Sequence, residues 1–202
     1  MTTTMKMNQT TGENQNGATP ATLSIKSGKG LIHGVSSELT AFFTIKPGHA
    51  EALAAAILRF KERAQPKDAS VFEKVGLRTQ RHVIFDNGTR LMWSTAFDTD
   101  WDPYIDDAIA VFGAASWVDW MQHTTDYSAD IATASNAEIK QFLQSAQQRA
   151  TAFFDAFSNS TLSQIKKALL VNRAFEQVLD DPEAAQLLQH PAMKPLLEQA
   201  SD

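Results

Sequence analysis

An Asn-Gly dipeptide at residues 87–88 is the feature that most constrains how this chain can fold. A two-residue turn of type I′ requires positive φ angles at both central positions, and Asn and Gly accept such angles most readily. The runs on either side, 79–85 and 90–97, are rich in β-branched and aromatic residues, as strands are. The sequence therefore predicts an antiparallel hairpin centred on this turn.

The turn also fixes which residues face each other. With Asn87 and Gly88 as turn residues, Asp86 faces Thr89 and the register follows. One face then carries Ile84 with Leu91, His82 with Trp93, Gln80 with Thr95, and Arg78 with Phe97, and the other carries Val83 with Met92, Arg81 with Ser94, and Thr79 with Ala96. Neither face is purely apolar, whereas a sheet covered on one side only should have one clean polar face. We therefore predict that the second face is also covered, by a partner subunit or around a cavity.

The segment after the hairpin is predicted to be a helix. Aspartates precede Pro103, which suits the first helical position, and Gly113 provides a stop after about Phe112. The spacing of Asp98, Asp100, Asp102 and Asp106 is that of a calcium loop, but Pro103 and Ile109 stand where such a loop needs Gly and Glu. Helix capping explains these aspartates without a metal, so no metal site is predicted.

Composition limits the classes of function. The 202 residues suit one domain with an extension, and a net charge of −5 argues against nucleic acid or an anionic membrane surface as a partner. The absence of cysteine excludes disulfides, thiolate metal sites and cysteine nucleophiles. No apolar run approaches membrane-spanning length, and no secretory signal opens the chain, so we expect a cytoplasmic protein.

The remaining elements are predicted from hydrophobic periodicity. Residues 38–45 form the first strand, 49–64 a helix and 136–147 another helix, while Trp117, Trp120 and Met121 could share one face of a short helix. Residues 149–157 are assigned as the last strand because the sheet otherwise lacks its fourth member, although a continued helix is the alternative. The domain boundaries are a disordered arm over 1–34, an α+β domain over 35–158, and a C-terminal helical extension over 159–202, packed on the same domain.

The order strand, helix, strand, strand, helix, insertion, strand is the ferredoxin-like β-α-β-β-α-β plan. Within it, FTIKPGHAEAL at 43–53 resembles the strand, Pro-Gly turn and helix start common in the dimeric α+β barrel superfamily. That superfamily includes cofactor-free antibiotic-biosynthesis-type monooxygenases, chlorite-dismutase-like proteins and dye-decolourising peroxidases. The resemblance covers roughly residues 38–157. It implies a homodimer whose sheets join into a barrel with a pocket in each subunit, but no particular activity.

His82 is the main candidate for chemistry, with Arg78, Gln80, Trp93 and Thr95 on the same predicted face as candidate pocket-lining residues. His82 could be a proton shuttle or an axial haem ligand, and a hydrogen-bonded structural histidine is the simpler interpretation. The two arginines of the strand, Arg78 and Arg81, could bind a carboxylate or a haem propionate, although such residues more often reach solvent or pair with the acidic helix start.

Asp155 is the second catalytic candidate. An acid between aromatic residues must be paired or exposed, and if it faces the pocket it could orient His82 or act as an acid. His123 and Asp126 could form a dyad, but no serine nucleophile accompanies them, so an ordinary loop is the better interpretation.

The leading functional hypothesis is a homodimeric α+β-barrel protein with a small-molecule pocket lined by residues 78–84 and 91–97. If it is an enzyme, the resemblance favours oxidative chemistry that is either haem-assisted or cofactor-free, and haem is compatible with the sequence but not required by it. The alternative hypothesis is a non-catalytic ligand-binding or protein-interaction module whose tail helices pack on a partner.

Overall fold

The computed structural model describes residues 30–64, 70–128 and 134–200, so residues 1–29 of the predicted arm lie outside the described residues. Five strands pair in one antiparallel sheet: β1 (Ile32–His33), β2 (Ser36–Thr44), β3 (Leu77–Phe85), β4 (Arg90–Phe97) and β5 (Gln147–Gln148). The described residues also form eight α-helices: α1 (Ala50–Ala64), α2 (Ser70–Val75), α3 (Trp101–Phe112), α4 (Ala114–Met121), α5 (Asn136–Ala146), α6 (Leu162–Leu179), α7 (Ala185–Leu188) and α8 (Lys194–Ala200). The fold is therefore a mixed α+β fold with an antiparallel sheet.

The β3–β4 hairpin confirms the predicted register over most of its length. Pairs from Thr79 with Ala96 to Ile84 with Leu91 are as predicted, and Thr89 N–H donates to the Asp86 carbonyl across the turn at 3.1 Å. The prediction that Arg78 pairs with Phe97 is wrong, because Leu77 takes that place and the register shifts between Leu77 and Thr79. Arg78 is thus the extra residue of a β-bulge, which redirects its side chain.

Strand β2 lies at the centre of the sheet. It pairs with β4 along most of its length, and its other edge is shared by β1 at Ser36 and Ser37 and by β5 at Thr40 and Ala41. The strand predicted over Arg149–Phe157 is wrong: this segment is irregular, and only the two residues of β5 just before it join the sheet. The physical reason is that β1 and Leu31 already occupy residues 36–38 of β2, the part of that edge into which β5 would continue.

Two predicted helix starts also shift. Helix α3 begins at Trp101 with Asp100 at the N-cap, two residues before the predicted start at Pro103, and it stops at Gly113 as predicted. Helix α5 is capped by Ser135 instead of Asn136, because Ser135 and Glu138 form a reciprocal capping box.

The core lies between one face of the sheet and helices α1, α3, α4 and α5. Strands β2 and β4 contribute alternate residues to it, which is the period-two pattern of a half-buried strand. Its largest fully buried side chains include Trp93, Trp117, Trp120, Tyr104, Phe43 and Phe97. The tryptophans of the segment 114–121 therefore share the buried face of α4, as predicted.

The opposite face of the sheet, here called the outer face, is only partly covered. Phe42, Phe85 and Met92 are half-buried there, and the Val83 side chain is 41% exposed. The guanidinium of Arg90 lies over the rings of Phe42 and Phe85, at 5.7 and 5.2 Å from their centroids. The predicted covering of this face by a second subunit stays a prediction.

The C-terminal extension consists of α6, two short 3-10 turns, α7 and α8. The Thr161–Gln164 capping box that starts α6 is present as predicted. None of the residues in these helices is buried, and Leu169, Leu170 and Val171 are each more than half exposed. A partner or the α+β domain would have to cover these apolar side chains. The predicted packing of the extension on that domain stays a prediction.

Candidate functional site

The main cavity of the described residues, about 660 Å³ in volume, lies at the free edge of β3. The wall opposite β3 is formed by α1, α2, the end of α3 and the first turns of α6. The lining residues are Ile57, Phe60, Lys61, Phe72, Leu77, Arg78, Thr79, Gln80, Arg81, His82, Phe112, Leu162 and Lys166. A volume of this size falls in the usual range of small-molecule sites.

His82 lines this cavity, where the strand alternation turns it toward the helices. Its ring contacts three aromatic residues, with centroid distances of 5.9 Å to Phe60, 6.4 Å to Trp93 and 5.5 Å to Trp120. Its Nε2 atom is fully shielded from solvent and has no hydrogen-bond partner among the described residues. A buried polar atom without a partner is uncommon in proteins and calls for an explanation.

The aromatic surroundings set the charge state of His82. Burial lowers its pKa to about 4, because the imidazolium form would lose its hydration without gaining an ion pair. The ring is therefore neutral at pH 7. A neutral imidazole offers one donor and one acceptor nitrogen, so it can form a hydrogen bond to a ligand but brings no charge to it.

Arg78 is buried and already engaged by the chain itself. Its Nε donates to Asp98 Oδ1, its Nη1 donates to Asp155 Oδ2 at 2.7 Å, and its Nη2 donates to the Ser160 carbonyl. Asp98 also accepts the N–H of Leu162, the first residue of α6. Arg78 therefore joins the bulge in β3 to the segment that leads into α6, and it has little capacity left for a ligand. This group is here called the Arg78 cluster and consists of Arg78, Asp98, Asp155, Ser160 and Leu162.

The structure does not bring Asp155 to His82. The Asp155 carboxylate accepts hydrogen bonds from Arg78 and, at 2.8 Å, from the N–H of Phe157, and its own N–H donates to His33 Nδ1 at 3.1 Å. Although partial burial alone would raise the pKa of Asp155, the Phe157 N–H and the charge of Arg78 bring the pKa below its ordinary value. Asp155 is thus a charged partner of Arg78.

The other predicted pocket residues are divided between cavity and core. Gln80 lines the cavity, whereas Trp93 and Thr95 are buried behind β3. Thr95 Oγ1 forms hydrogen bonds with the Thr79 carbonyl at 3.0 Å and with Tyr104 Oη at 2.7 Å. Burial raises the pKa of Tyr104, more than the Thr95 hydrogen bond lowers it, so its hydroxyl stays protonated. Trp93 acts on the cavity only through its contact with His82.

The residues do not fit a haem ligated through Nε2 of His82. Its Nε2 has no accessible surface, so it cannot reach an iron in the cavity without moving against Phe60 and Trp120. Among the three described segments, no group of three or more His, Asp or Glu side chains is arranged to hold a metal ion. The aspartates of the calcium-like spacing are dispersed, since Asp98 binds Arg78 while Asp102 and Asp106 share Lys140.

A second histidine contact was not predicted from the sequence. His49 Nδ1 and His123 Nδ1 lie 3.0 Å apart at the opposite end of the sheet from the Arg78 cluster, where residues 45 and 124 form an isolated bridge. Burial and the neighbouring His49 lower the pKa of His123. If one ring carries its proton on Nδ1 and the other carries it on Nε2, the two Nδ1 atoms share one hydrogen bond. This bond joins the residue before α1 to the turn after α4. Asp126 accepts a hydrogen bond from Thr125 Oγ1 at 3.3 Å and forms none with His123 among the described residues.

Several cavity residues had no signal in the sequence. Lys61 and Phe72 look like ordinary helix residues, and Leu162 and Lys166 belong to an extension that periodicity alone cannot position. Only the capping box at Thr161 pointed to a helix start there. The side of the cavity opposite His82 depends on where α6 begins, and the Arg78 cluster sets that position.

The site and the fold define an α+β protein with an antiparallel sheet and a cavity at the sheet edge. No protein-family model and no curated protein matches the chain. Among solved structures it is similar to tetracenomycin F2 cyclase from Streptomyces glaucescens, described as a type-II polyketide cyclase, with 14% identity and a TM-score of 0.35. The similarity covers 59% of this chain and 97% of that one. Such a distant similarity supports no conclusion about the function of this chain.

A membrane-spanning helix would have to be both long and strongly apolar. None of the helices in the described parts of the chain meets both conditions.

Proposed function

We propose that this protein binds a small apolar molecule in the cavity at the edge of β3, with His82 supplying a polar contact to it. The observation that carries this proposal is a cavity of about 660 Å³ lined largely by aromatic and aliphatic residues, with the His82 ring in its wall. No described residue forms a hydrogen bond with that ring, so its tautomer can adjust to a ligand. Pockets that are mostly apolar with a few convergent polar groups are typical of ligand sites.

The ring contacts of His82 suggest how the proposed contact works. Its edge-to-face arrangement with Trp120, at an interplanar angle of 75°, suits an N–H that points toward an aromatic face. If Nε2 carries the proton in this way, Nδ1 keeps its lone pair for a hydroxyl or N–H of the ligand. His82 then serves as a hydrogen-bond acceptor, and in a reaction it would be a weak general base, consistent with its pKa of about 4.

The fold is proposed to be ferredoxin-like and to assemble as a dimeric α+β barrel. Support comes from the neighbour order β5, β2, β4, β3, which is the order that the β-α-β-β-α-β plan requires when β1 is set aside as an addition. Phe42, Phe85 and Met92 on the outer face form the apolar surface that a second sheet would cover. Sedimentation of the wild type as a dimer, and of Met92→Asp as a monomer, is the expected outcome.

The binding proposal can be tested with the neutral fluorescent probe N-phenyl-1-naphthylamine, whose emission rises in apolar sites. Leu162→Trp places a larger side chain at the cavity mouth and should weaken probe binding about tenfold or more, because the cavity is partly filled. Leu170→Trp is the matched control, since Leu170 lies on the same helix, is 64% exposed and does not line the cavity. Equal binding by both variants, or no binding by the wild type, would reject the proposal.

His82 itself is tested by comparing His82→Phe with the wild type for naphthalene and for 1-naphthol. Phe keeps the aromatic packing but offers no acceptor, so the preference for the hydroxylated ring should disappear. A preference that survives the substitution would show that His82 is only a packing residue. Oxidative chemistry, which the family resemblance implies, receives no support from the site and is not part of this proposal.

The alternative function, a protein-interaction module, is favoured by a different observation. Leu169, Leu170 and Val171 form an exposed apolar stretch in the middle of α6, and such patches often mark interfaces. If the extension is the functional surface, Leu169→Ser with Val171→Ser should change the state of association and leave probe binding in the cavity intact.

A further inference from the structure

The cavity differs from the rest of the chain in its charge. The whole chain has a net charge of −5, yet the residues that line the cavity include four basic side chains and no Asp or Glu. These basic residues are Lys61, Arg78, Arg81 and Lys166. A positively charged lining favours a ligand that carries negative charge.

The four basic residues are not equivalent. Arg78 is neutralised by Asp98 and Asp155, and Lys166 lies 3.7 Å from the carboxylate of Glu73. Lys61 forms no ion pair with any residue that the structure describes, and it is exposed at the end of α1, one residue after Phe60. No described carboxylate therefore neutralises its ammonium group at this wall of the cavity. Arg81 also lacks an ion pair among the described residues, but it pairs with Ser94 and also borders a smaller cavity on the outer face of the sheet.

The positions of these charges relative to the apolar residues define two ends of the cavity. His82 and Phe60 lie at the inner end, while Lys61 on α1 and Lys166 on α6 lie on the helices that form its outer walls. A ligand that is apolar at one end and negatively charged at the other would bury its apolar part and keep its charge near the lysines. Partial exposure of the lysines lowers the desolvation cost of such a contact.

We infer that the ligand of this cavity is an apolar molecule with one anionic group, of the class of ring-containing or long-chain carboxylates and sulfonates, with Lys61 as the main contact of the anion and Lys166 as the second. This inference rests on the proposed function and names its ligand class. The carboxylate of Glu73 competes with the ligand for Lys166, so Glu73 weakens the contact.

Two probes with the same ring skeleton separate the inference from the proposal on which it rests. One is the neutral N-phenyl-1-naphthylamine, and the other is 8-anilino-1-naphthalenesulfonate, which adds a single negative charge. Binding of both is followed by fluorescence titration of the full chain at low and at 0.5 M salt. The wild type should bind the sulfonate more tightly than the neutral probe at low salt, and added salt should reduce this preference because it screens the lysines.

The variants give the sharper comparison. Lys61→Met should weaken sulfonate binding by about three- to tenfold and leave neutral-probe binding within about twofold, as expected for the loss of a partly exposed ion contact. Lys167→Met is the matched control, because it removes the same charge from an exposed position that does not line the cavity. Glu73→Gln should act in the opposite direction and strengthen sulfonate binding.

Each outcome has a definite reading. Neutral-probe binding without preference for the sulfonate, or equal effects of Lys61→Met and Lys167→Met, would overturn the anionic ligand class while the proposed binding function stands. Absence of binding by both probes would overturn the proposed function itself. Selective loss of sulfonate binding in Lys61→Met, together with a gain in Glu73→Gln, would support the inference.

Discussion

The neutral state of His82 predicts that the stability of the protein falls as the pH is lowered from 6.5 to 4. The aromatic residues around the ring bring its pKa to about 4 in the native protein, whereas an unfolded chain has the ordinary value of 6.5. Between these two pH values the unfolded chain binds a proton that the native protein does not bind. The free energy of unfolding therefore decreases with falling pH in this window.

The magnitude follows from the difference between the two pKa values. A difference of about 2.5, at about 1.4 kcal/mol for each pH unit, corresponds to about 3 kcal/mol of stability lost by pH 4. The loss ends below pH 4, because the native ring then also takes up a proton. For a domain of ordinary stability, about 5–15 kcal/mol, this single group is a substantial part of the acid sensitivity.

Urea unfolding of the wild type and of His82→Phe, at pH 7.5, 6.5, 5.5 and 4.5, isolates this contribution from that of the carboxylates. The wild type should lose about 2–3 kcal/mol more than the variant between pH 7.5 and 4.5. His190→Asn is the control, because His190 is exposed and Asn keeps an acceptor for the Ala192 N–H. Parallel pH profiles of wild type and His82→Phe would refute the reasoning, as would an NMR titration that places the His82 pKa near 6.5.

The remaining predictions concern the contacts that hold the cavity walls. Arg78→Met should cost about 3–5 kcal/mol in urea unfolding, because two carboxylates lose their buried partner, whereas the exposed Arg90→Met should change little; similar losses would contradict this. Tyr104→Phe should cost about 1 kcal/mol through the loss of one buried hydrogen bond, and an unchanged midpoint would argue against that bond. Gly34→Ala should lower the melting temperature more than Gly48→Ala, because both have positive φ angles but only a Cβ at Gly34 would lie 2.1 Å from a carbonyl oxygen.

The hairpin could be predicted because its determinants are local. Positive φ angles at Asp86, Asn87 and Gly88 form the turn, and the alternation of side chains carries the register outward from it. The turn fixes the pairing of His82 with Trp93 through the three residue pairs that lie between them and the turn. This pairing therefore needed no tertiary information, whereas the packing of that face against the helices did.

Asp155 shows the limit of local reasoning. The strand over residues 149–157 is predicted because the sheet otherwise lacks a fourth member, but Phe154 and Phe157 are 85% and 61% exposed, so no strongly buried apolar face selects an extended conformation there. Residues 149–157 instead follow the Arg78 cluster, in which the partners are 77 and 82 positions apart in the chain. Periodicity contains no information about such contacts, because they depend on which distant charge remains unpaired.

Local strand pairing and long-range ion pairs together determine which charges of the cavity remain available to a ligand. From the sequence, Arg78 could either bind a carboxylate of a ligand or pair with the acidic helix start. In the structure both of its carboxylate partners belong to the chain, and one of them, Asp98, also accepts the first N–H of α6. The hydrogen bonds of Arg78 therefore hold the start of α6, the helix that carries Lys166, and leave Arg78 little capacity for a ligand. An anionic ligand must then be met by another basic residue of the cavity. Lys61 has no partner among the described residues, so it can meet the anion without breaking a contact of the fold.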